Sequence, residues 1–232
     1  MMKRSLPALL MIGCWVAASA MLVAAQTPPN RTEIREYKSL LSSVIREEVD
    51  ETRRLLSQGA AADQRDDNGR TPLIVAAHRG LQELARVLVA GGADPRAKDN
   101  QHYDIVTIAA VNNDIGFLKL ALALGGDAKA ITSPYDGTAL IAAAHLGHAD
   151  VCAELIMAGA PLDHVNNIAM TALIEAIVLG DGGAKHQATV RVLLDAGANP
   201  SIADRAGATP LALARSRGYT AMAEMIVRAG GR

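Results

Sequence analysis

A seven-residue segment occurs in five copies along this chain, and that recurrence constrains the fold more than any other feature. Thr71-Pro72-Leu73-Ile74-Val75-Ala76-Ala77 returns as Thr138 to Ala144, as Thr171 to Ile177 and as Thr209 to Arg215. A worn copy, Asp104 to Ala110, lies between the first two, so the starts are 33, 34, 33 and 38 residues apart. Glycine keeps the same step: Gly59, Gly92, Gly125, Gly159, Gly197 and Gly230 are spaced 33, 33, 34, 38 and 33. Two independent markers with one period define about six units. The sixth is a first unit with a degraded opening, Lys38 to Ile45, closed by Leu55, Leu56 and Gly59.

Each unit spells two helices. Thr71 is a helix-capping residue and Pro72 suits the first turn, where a missing N–H costs nothing. Leu73, Ala76 and Ala77 share one face, and Gly80 stops this helix. Leu84, Val87 and Leu88 form the inward stripe of a second helix, which Gly91 or Gly92 ends. Asp66-Asp67-Asn68-Gly69 supplies turn chemistry before the next unit. Neither helix buries its face alone, so the units must stack. Half of the 232 residues are hydrophobic but only 3% are aromatic, so the core is built from Ala, Leu, Val and Ile.

These features resemble the ankyrin repeat family. Its Thr-Pro-Leu-His-x-Ala-Ala opening stands here as Thr71 to Ala77. Its Gly-Ala-Asp close stands as Gly92-Ala93-Asp94, Gly159-Ala160 and Gly197-Ala198-Asn199. The resemblance implies an all-α repeat solenoid over residues 36–232, with repeats near 36–68, 69–101, 102–135, 136–168, 169–206 and 207–232. Departures are visible. The family's His is Ile74, Thr107, Ile141, Ile174 or Ala212, so its polar bonding between repeats is expected to be missing. The fifth repeat carries about five extra residues around Gly180 to His186, expected as a flexible connection between its helices. The charged ends, Arg46 to Arg54 and Arg215 to Arg232, read as polar caps.

The N-terminus reads as an address. Lys3 and Arg4 precede an apolar run from Leu6 to Ala25, which Gln26-Thr27-Pro28-Pro29-Asn30 breaks. This pattern predicts a secretory signal peptide over 1–25, cut after Ala25 or earlier after Ala20. An uncleaved anchor and a lipoprotein signal at Cys14 are the other readings. Residues 26–35 then form a linker without packing signal. Loss of Lys3 and Arg4 leaves 21 basic against 24 acidic residues, a net charge of −3. Neither that charge nor the scarcity of aromatics suits a nucleic-acid surface. A periplasmic protein with no membrane contact after cleavage, monomeric on its own, is expected. Cys152, in an apolar helical run, is expected to be buried.

Catalytic constellations are absent from the sequence. No Gly-x-Ser-x-Gly elbow occurs. Gly180-Asp181-Gly182-Gly183 lacks the Gly-Lys-Ser/Thr ending of a phosphate loop, and Asp66-Asp67-Asn68 lacks the spacing and closing Glu of a calcium loop. No enzyme activity and no cofactor are therefore expected. A metal or small-ligand site using His78, His145 and His148 is the alternative, weakened by the absence of a further ligand. For His148, the resemblance implies a bond to backbone at its turn.

What remains is a binding surface for another protein. First helices and hairpin tips would line a concave face, placing Val75, His78, Arg79, Ile108, Val111, His145, Leu146 and Glu175 outward. The tips add Arg70, His102, Tyr103, Tyr135, Asp136, Asn167 and Met170. Tyr103 and Tyr135, on adjacent tips, are the expected anchors, because Tyr and Arg are typical interface residues.

Overall fold

The computed structural model describes residues 28–232, and the signal segment expected over 1–25 lies outside them. Thirteen helices are described. A short leading helix, α1 (Arg31–Glu36), is followed by six pairs: α2 (Ser39–Ile45) with α3 (Val49–Ser57), α4 (Pro72–His78) with α5 (Gln82–Ala90), α6 (Ile105–Val111) with α7 (Ile115–Ala123). The remaining pairs are α8 (Ala139–His145) with α9 (Ala149–Met157), α10 (Ala172–Val178) with α11 (Ala184–Asp195), and α12 (Pro210–Ser216) with α13 (Thr220–Arg228). Each pair is one repeat, and the first helices α2, α4, α6, α8, α10 and α12 stack successively. One hairpin also closes as a two-residue antiparallel ribbon, β1 (Ile131–Thr132) against β2 (Gly137–Thr138).

The local chemistry explains the regularity. Thr71 Oγ1 accepts from Ile74 N–H at 3.2 Å, and Thr138, Thr171 and Thr209 repeat that cap. In the worn copy Asp104 takes the role, accepting from Thr107 N–H at 2.8 Å. Such caps contribute about 1 kcal/mol each. At the far end of α5, Gly92 adopts φ +97°. Its N–H donates to the Val89 carbonyl, and Ala93 N–H reaches back to Leu88 at 3.0 Å. That reversal closes the helix and favours glycine, and the five glycines in step with Gly92 share its sign of φ. A continuous apolar core runs through all six repeats, with Leu40, Leu73, Phe117, Leu140, Leu155, Leu173 and Ile226 fully enclosed.

A third periodic device lies in the hairpins. Asp66 Oδ1 accepts from the amides of Asn68 and Arg70. Asp99, Ser133, Asn166 and Asp204 each accept from the amides two and four residues on. Each hairpin is thereby folded by one side-chain oxygen. Neighbouring hairpins are then tied together: Asn100 N–H to the Asn68 carbonyl, and Asn167 N–H to that of Tyr135. Arg65 bonds the Lys98 carbonyl, Lys98 that of Ile131, and Arg205 that of Asn167. Polar bonding between repeats is therefore present, carried by hairpin groups instead of the missing histidine.

Two expected loops are structured. Residues 31–35 of the expected linker, with Glu36, form α1. Asn30 and Glu33 make a reciprocal capping box, and Glu33 then reaches Asn68 Nδ2 (2.8 Å) and Arg70 Nη2 (2.6 Å). The helix buries no residue, so no apolar pattern announces it. The insertion near 180–186 is not a slack connection. It leads into α11, which has 12 residues where the other second helices have 9. His186 joins the insertion to its neighbours, with Nδ1 3.1 Å from Asp181 and Nε2 3.0 Å from the His145 carbonyl. Tyr219 closes it from the last repeat by donating to the Gly180 carbonyl.

Candidate functional site

The face built by first helices and hairpins is where the expected binding residues fall, but the structure divides them. Arg70, Tyr103 and Met170 are not on the tips. They are 2%, 2% and 0% exposed. Each directly precedes a capping residue, Thr71, Asp104 or Thr171. The chain there has already turned inward, and the side chain packs beneath its hairpin. Val75, Ile108 and Glu175, expected outward, are fully buried, and His145 is 6% exposed. Arg79, His102, Asp136 and Asn167 are exposed as expected, while Val111, Tyr135 and Leu146 are half-buried. His102 and Asp136 hold the hairpin positions where φ is positive, +66° and +53°. In other hairpins Gly69 and Gly207 take that place without strain.

Five of the fifteen expected residues do converge. Tyr103, Val111, Tyr135, His145 and Leu146 line one pocket, together with Thr107, Thr132, Ser133, Gly137, Thr138, Ile141, Ala142 and Asn166. It is a narrow cleft between the third and fourth repeats, with about 20 Å³ of space for water, far below the usual range of ligand pockets. Most of its polar groups already serve the fold. The Thr107 hydroxyl donates to Asp104 (2.8 Å) and lies 3.0 Å from that of Thr132. Ser133 Oγ accepts the hairpin amides. Tyr103 differs: its hydroxyl is buried with no hydrogen-bond partner, and burial pushes its phenol up to about 12.

Behind the pocket sits a buried carboxylate. Glu175 is 0% exposed, on α10. Its Oε2 lies 3.0 Å from His145 Nδ1, and its Oε1 accepts from Asn166 Nδ2 at 2.9 Å. This network joins the fourth and fifth repeats and fixes the ring that lines the pocket.

The histidines of the metal alternative do not meet. His148 Nδ1 bonds the Ala110 carbonyl of the preceding repeat at 3.0 Å, the backbone role that the family resemblance implies. His78 is half-buried in the second repeat. Loss of water, then the nearby Arg70 cation, pushes its imidazole down to about 4. Among the described residues, no group of three or more His, Cys, Asp or Glu is placed to hold a metal ion. Cys152 is buried as expected. Burial pushes its thiol up to about 12, away from nucleophilic use. No described helix is long and apolar enough to cross a membrane.

Comparison with known proteins decides the family. The model of ankyrin repeats (three copies) matches residues 16–99 and 106–204. The chain belongs to the ankyrin repeat family. It is 32% identical to the ankyrin repeat protein YahD of Escherichia coli (strain K12), over 79% of this chain and 91% of that one. The crystal structure of an ankyrin repeat domain from Acinetobacter baumannii AYE is 40% identical, with a TM-score of 0.79, and covers 83% of this chain and 98% of its own. The ankyrin repeat domain of Bcl-3 shares the fold at 24% identity, with a TM-score of 0.76, over 84% of this chain and 87% of that one. Ankyrin repeats are protein–protein interaction modules, generally without catalysis.

Proposed function

We propose that this ankyrin protein is exported to the periplasm and there binds one protein partner as a monomer, without catalysing a reaction. Companion of a periplasmic enzyme and neutraliser of a toxin are the two roles that fit such a module. The observation carrying the reading is the first-helix face of the third to sixth repeats. Val111, Ala142, Leu146, Val178, Leu179 and Leu213 are all partly exposed there. Elsewhere on the same side the fold employs its charges internally, as in the Arg79–Glu47 pair at 2.6 Å. A run of half-open apolar side chains flanked by exposed hairpins is the composition of a protein-binding surface, apolar at its centre and polar at its rim.

The export reading rests on the Lys3-Arg4, apolar, small-residue order of the N-terminus. Fractionation of bacteria producing the full chain, with N-terminal sequencing of the mature protein, tests it. A start at Gln26 or Met21 supports it, and retention of Met1 in the cytoplasm overturns it. For binding, the purified chain serves as bait in periplasmic extract, beside the variant Leu146→Glu/Val178→Glu. A protein held by the wild type and lost from the variant, at unchanged helical content, is the expected result. Equal capture by both removes this face from the reading.

A further inference from the structure

The insertion between α10 and α11 sets the fifth repeat apart, and one ring fastens it to the fourth. His186 stands in the first turn of α11, with 13% of its side chain exposed. Two glycines leave the ring room. A Cβ on Gly180 would lie 2.6 Å from its Cγ, and one on Gly147, across in the fourth repeat, 3.2 Å from its Nε2. Both ring nitrogens face oxygens. Nδ1 lies 3.1 Å from Asp181 Oδ1, within the insertion, and Nε2 lies 3.0 Å from the His145 carbonyl at the end of α8. That carbonyl is among the last of its helix, which find no partner inside it. A carboxylate and a carbonyl only accept, whereas a neutral imidazole has a single N–H to offer. Both contacts are hydrogen bonds only when the ring carries two protons.

We infer that His186 is a pH-dependent clasp: protonated, it ties the insertion to the fourth repeat, and on losing a proton it keeps Asp181 and releases the His145 carbonyl. The order of release follows from charge. A lone pair turned toward a carboxylate is repelled more strongly than one turned toward a neutral carbonyl, so the remaining hydrogen stays on Nδ1. Asp181 is suited to this part, since the Gly183 amide and then His186 hold its carboxyl below the ordinary range. Around the ring, Asp181 favours the added charge. Lys185 beside it, His148 in the fourth repeat and Arg217, which reaches the Val178 carbonyl from the sixth, disfavour it. Tyr219 holds the other edge of the insertion through the Gly180 carbonyl, whichever form the ring takes. The clasp stands independently of what the first-helix face binds.

The test follows the isotope-labelled full chain by NMR from about pH 5 to about pH 8, on either side of a free imidazole. At the acid end both ring nitrogens of His186 are expected to carry hydrogen, and at the alkaline end Nδ1 alone. The amides of Gly183 and Gln187, bonded to Asp181 and to the Gly183 carbonyl, are then expected to exchange about tenfold faster at the alkaline end, beyond the intrinsic pH dependence of exchange, for one charge-assisted hydrogen bond lost. Asp181→Asn, at a side chain 80% exposed, offers an N–H to Nδ1. The neutral ring then turns its own hydrogen to the His145 carbonyl, and exchange stays slow at both ends. His186→Gln is expected to be indifferent to pH. A ring with one hydrogen at the acid end overturns the inference, as does a hydrogen left on Nε2 at the alkaline end. Equal exchange at both ends in the wild type overturns it too, and so does an Asp181→Asn variant that loosens as the wild type does. Dependence on pH that survives in His186→Gln assigns the effect to His148 and removes the clasp.

Discussion

The two ends of the described chain differ in what binds one repeat to the next. At the N-terminal end, α1 and the first hairpin are joined by charge. Arg70 donates from Nε to Asp66 (2.7 Å) and from Nη2 to Glu33 (2.6 Å), and Tyr37 donates to Asp66 at 2.6 Å. Against the desolvation that would raise them, these hydrogen bonds hold the carboxyls of Asp66 and Glu33 below their ordinary range. Between the fourth and fifth repeats, one carboxylate, Glu175, is sealed among apolar helices and shared by His145 and Asn166. The first arrangement fastens a surface element that buries nothing of its own. The second sits at the centre of the stack, where repeats on both sides depend on it. In a quasi-one-dimensional protein that difference in position decides whether damage stays local.

The largest effect is expected from Glu175→Ala. It leaves a void and removes the acceptor that His145 Nδ1 and Asn166 Nδ2 share, at a cost of about 3–5 kcal/mol. Urea unfolding is expected to show the whole transition moved to lower denaturant. Glu175→Gln keeps the shape and one acceptor and loses less. A loss under about 1 kcal/mol in the alanine variant would show that the network is dispensable.

Acid comes next and acts on the N-terminal end of the stack. His78 titrates near 4 when folded and near 6.5 when free, so the unfolded chain binds the additional proton between those values. Stability is therefore full above about pH 6.5 and falls as pH drops toward 4, by up to about 3 kcal/mol. Arg70, which disfavours the imidazolium, and Asp66, which favours it, both act on this ring. His78→Leu is expected to flatten the curve in that window only. For Asp66 and Glu33 the sign is the same but the window lies lower, since depressed carboxyls contribute stability that is lost as pH falls below their ordinary values of 3.8 and 4.5. A wild-type curve that is flat from pH 6.5 to 4 would contradict the His78 assignment.

The repeat frame is legible in the sequence because helix caps and helix-ending glycines are local necessities. Thr71 and Gly92 act through backbone groups within a few residues, so each copy carries its own signal. The hairpin oxygens Asp66, Asp99, Ser133, Asn166 and Asp204 have the same period, and the identity of the residue, Asp, Asn or Ser, was the available clue. The burial of Arg70, Tyr103 and Met170 was less legible, since a large or charged side chain before a cap looks like a tip until the turn is seen to lead inward. Least legible was the pocket. Its lining runs from Tyr103 to Asn166 across two repeats, and only the stacking brings those residues together.

The smallest of the three effects tests the charged end directly. Arg70→Ala removes the cation that Asp66 and Glu33 share, but Asp66 keeps Tyr37 and two backbone amides, and the Glu33 carboxylate is already partly open to water. A loss of about 2 kcal/mol is expected, below the range for a sealed pair because the solvated partner recovers hydration. Lysine is no substitute, since a point charge cannot serve two carboxylates from a planar fork. Hydrogen exchange gives the discriminating readout. Amides of α1 and of the first hairpin should exchange far faster in the variant. Those of α8 to α11 should keep their protection, because they lie in the fourth and fifth repeats and the cluster lies in the first and second. Faster exchange throughout α8 to α11 would mean that the end clamp is coupled to the centre, and the contrast between the two regions would fail.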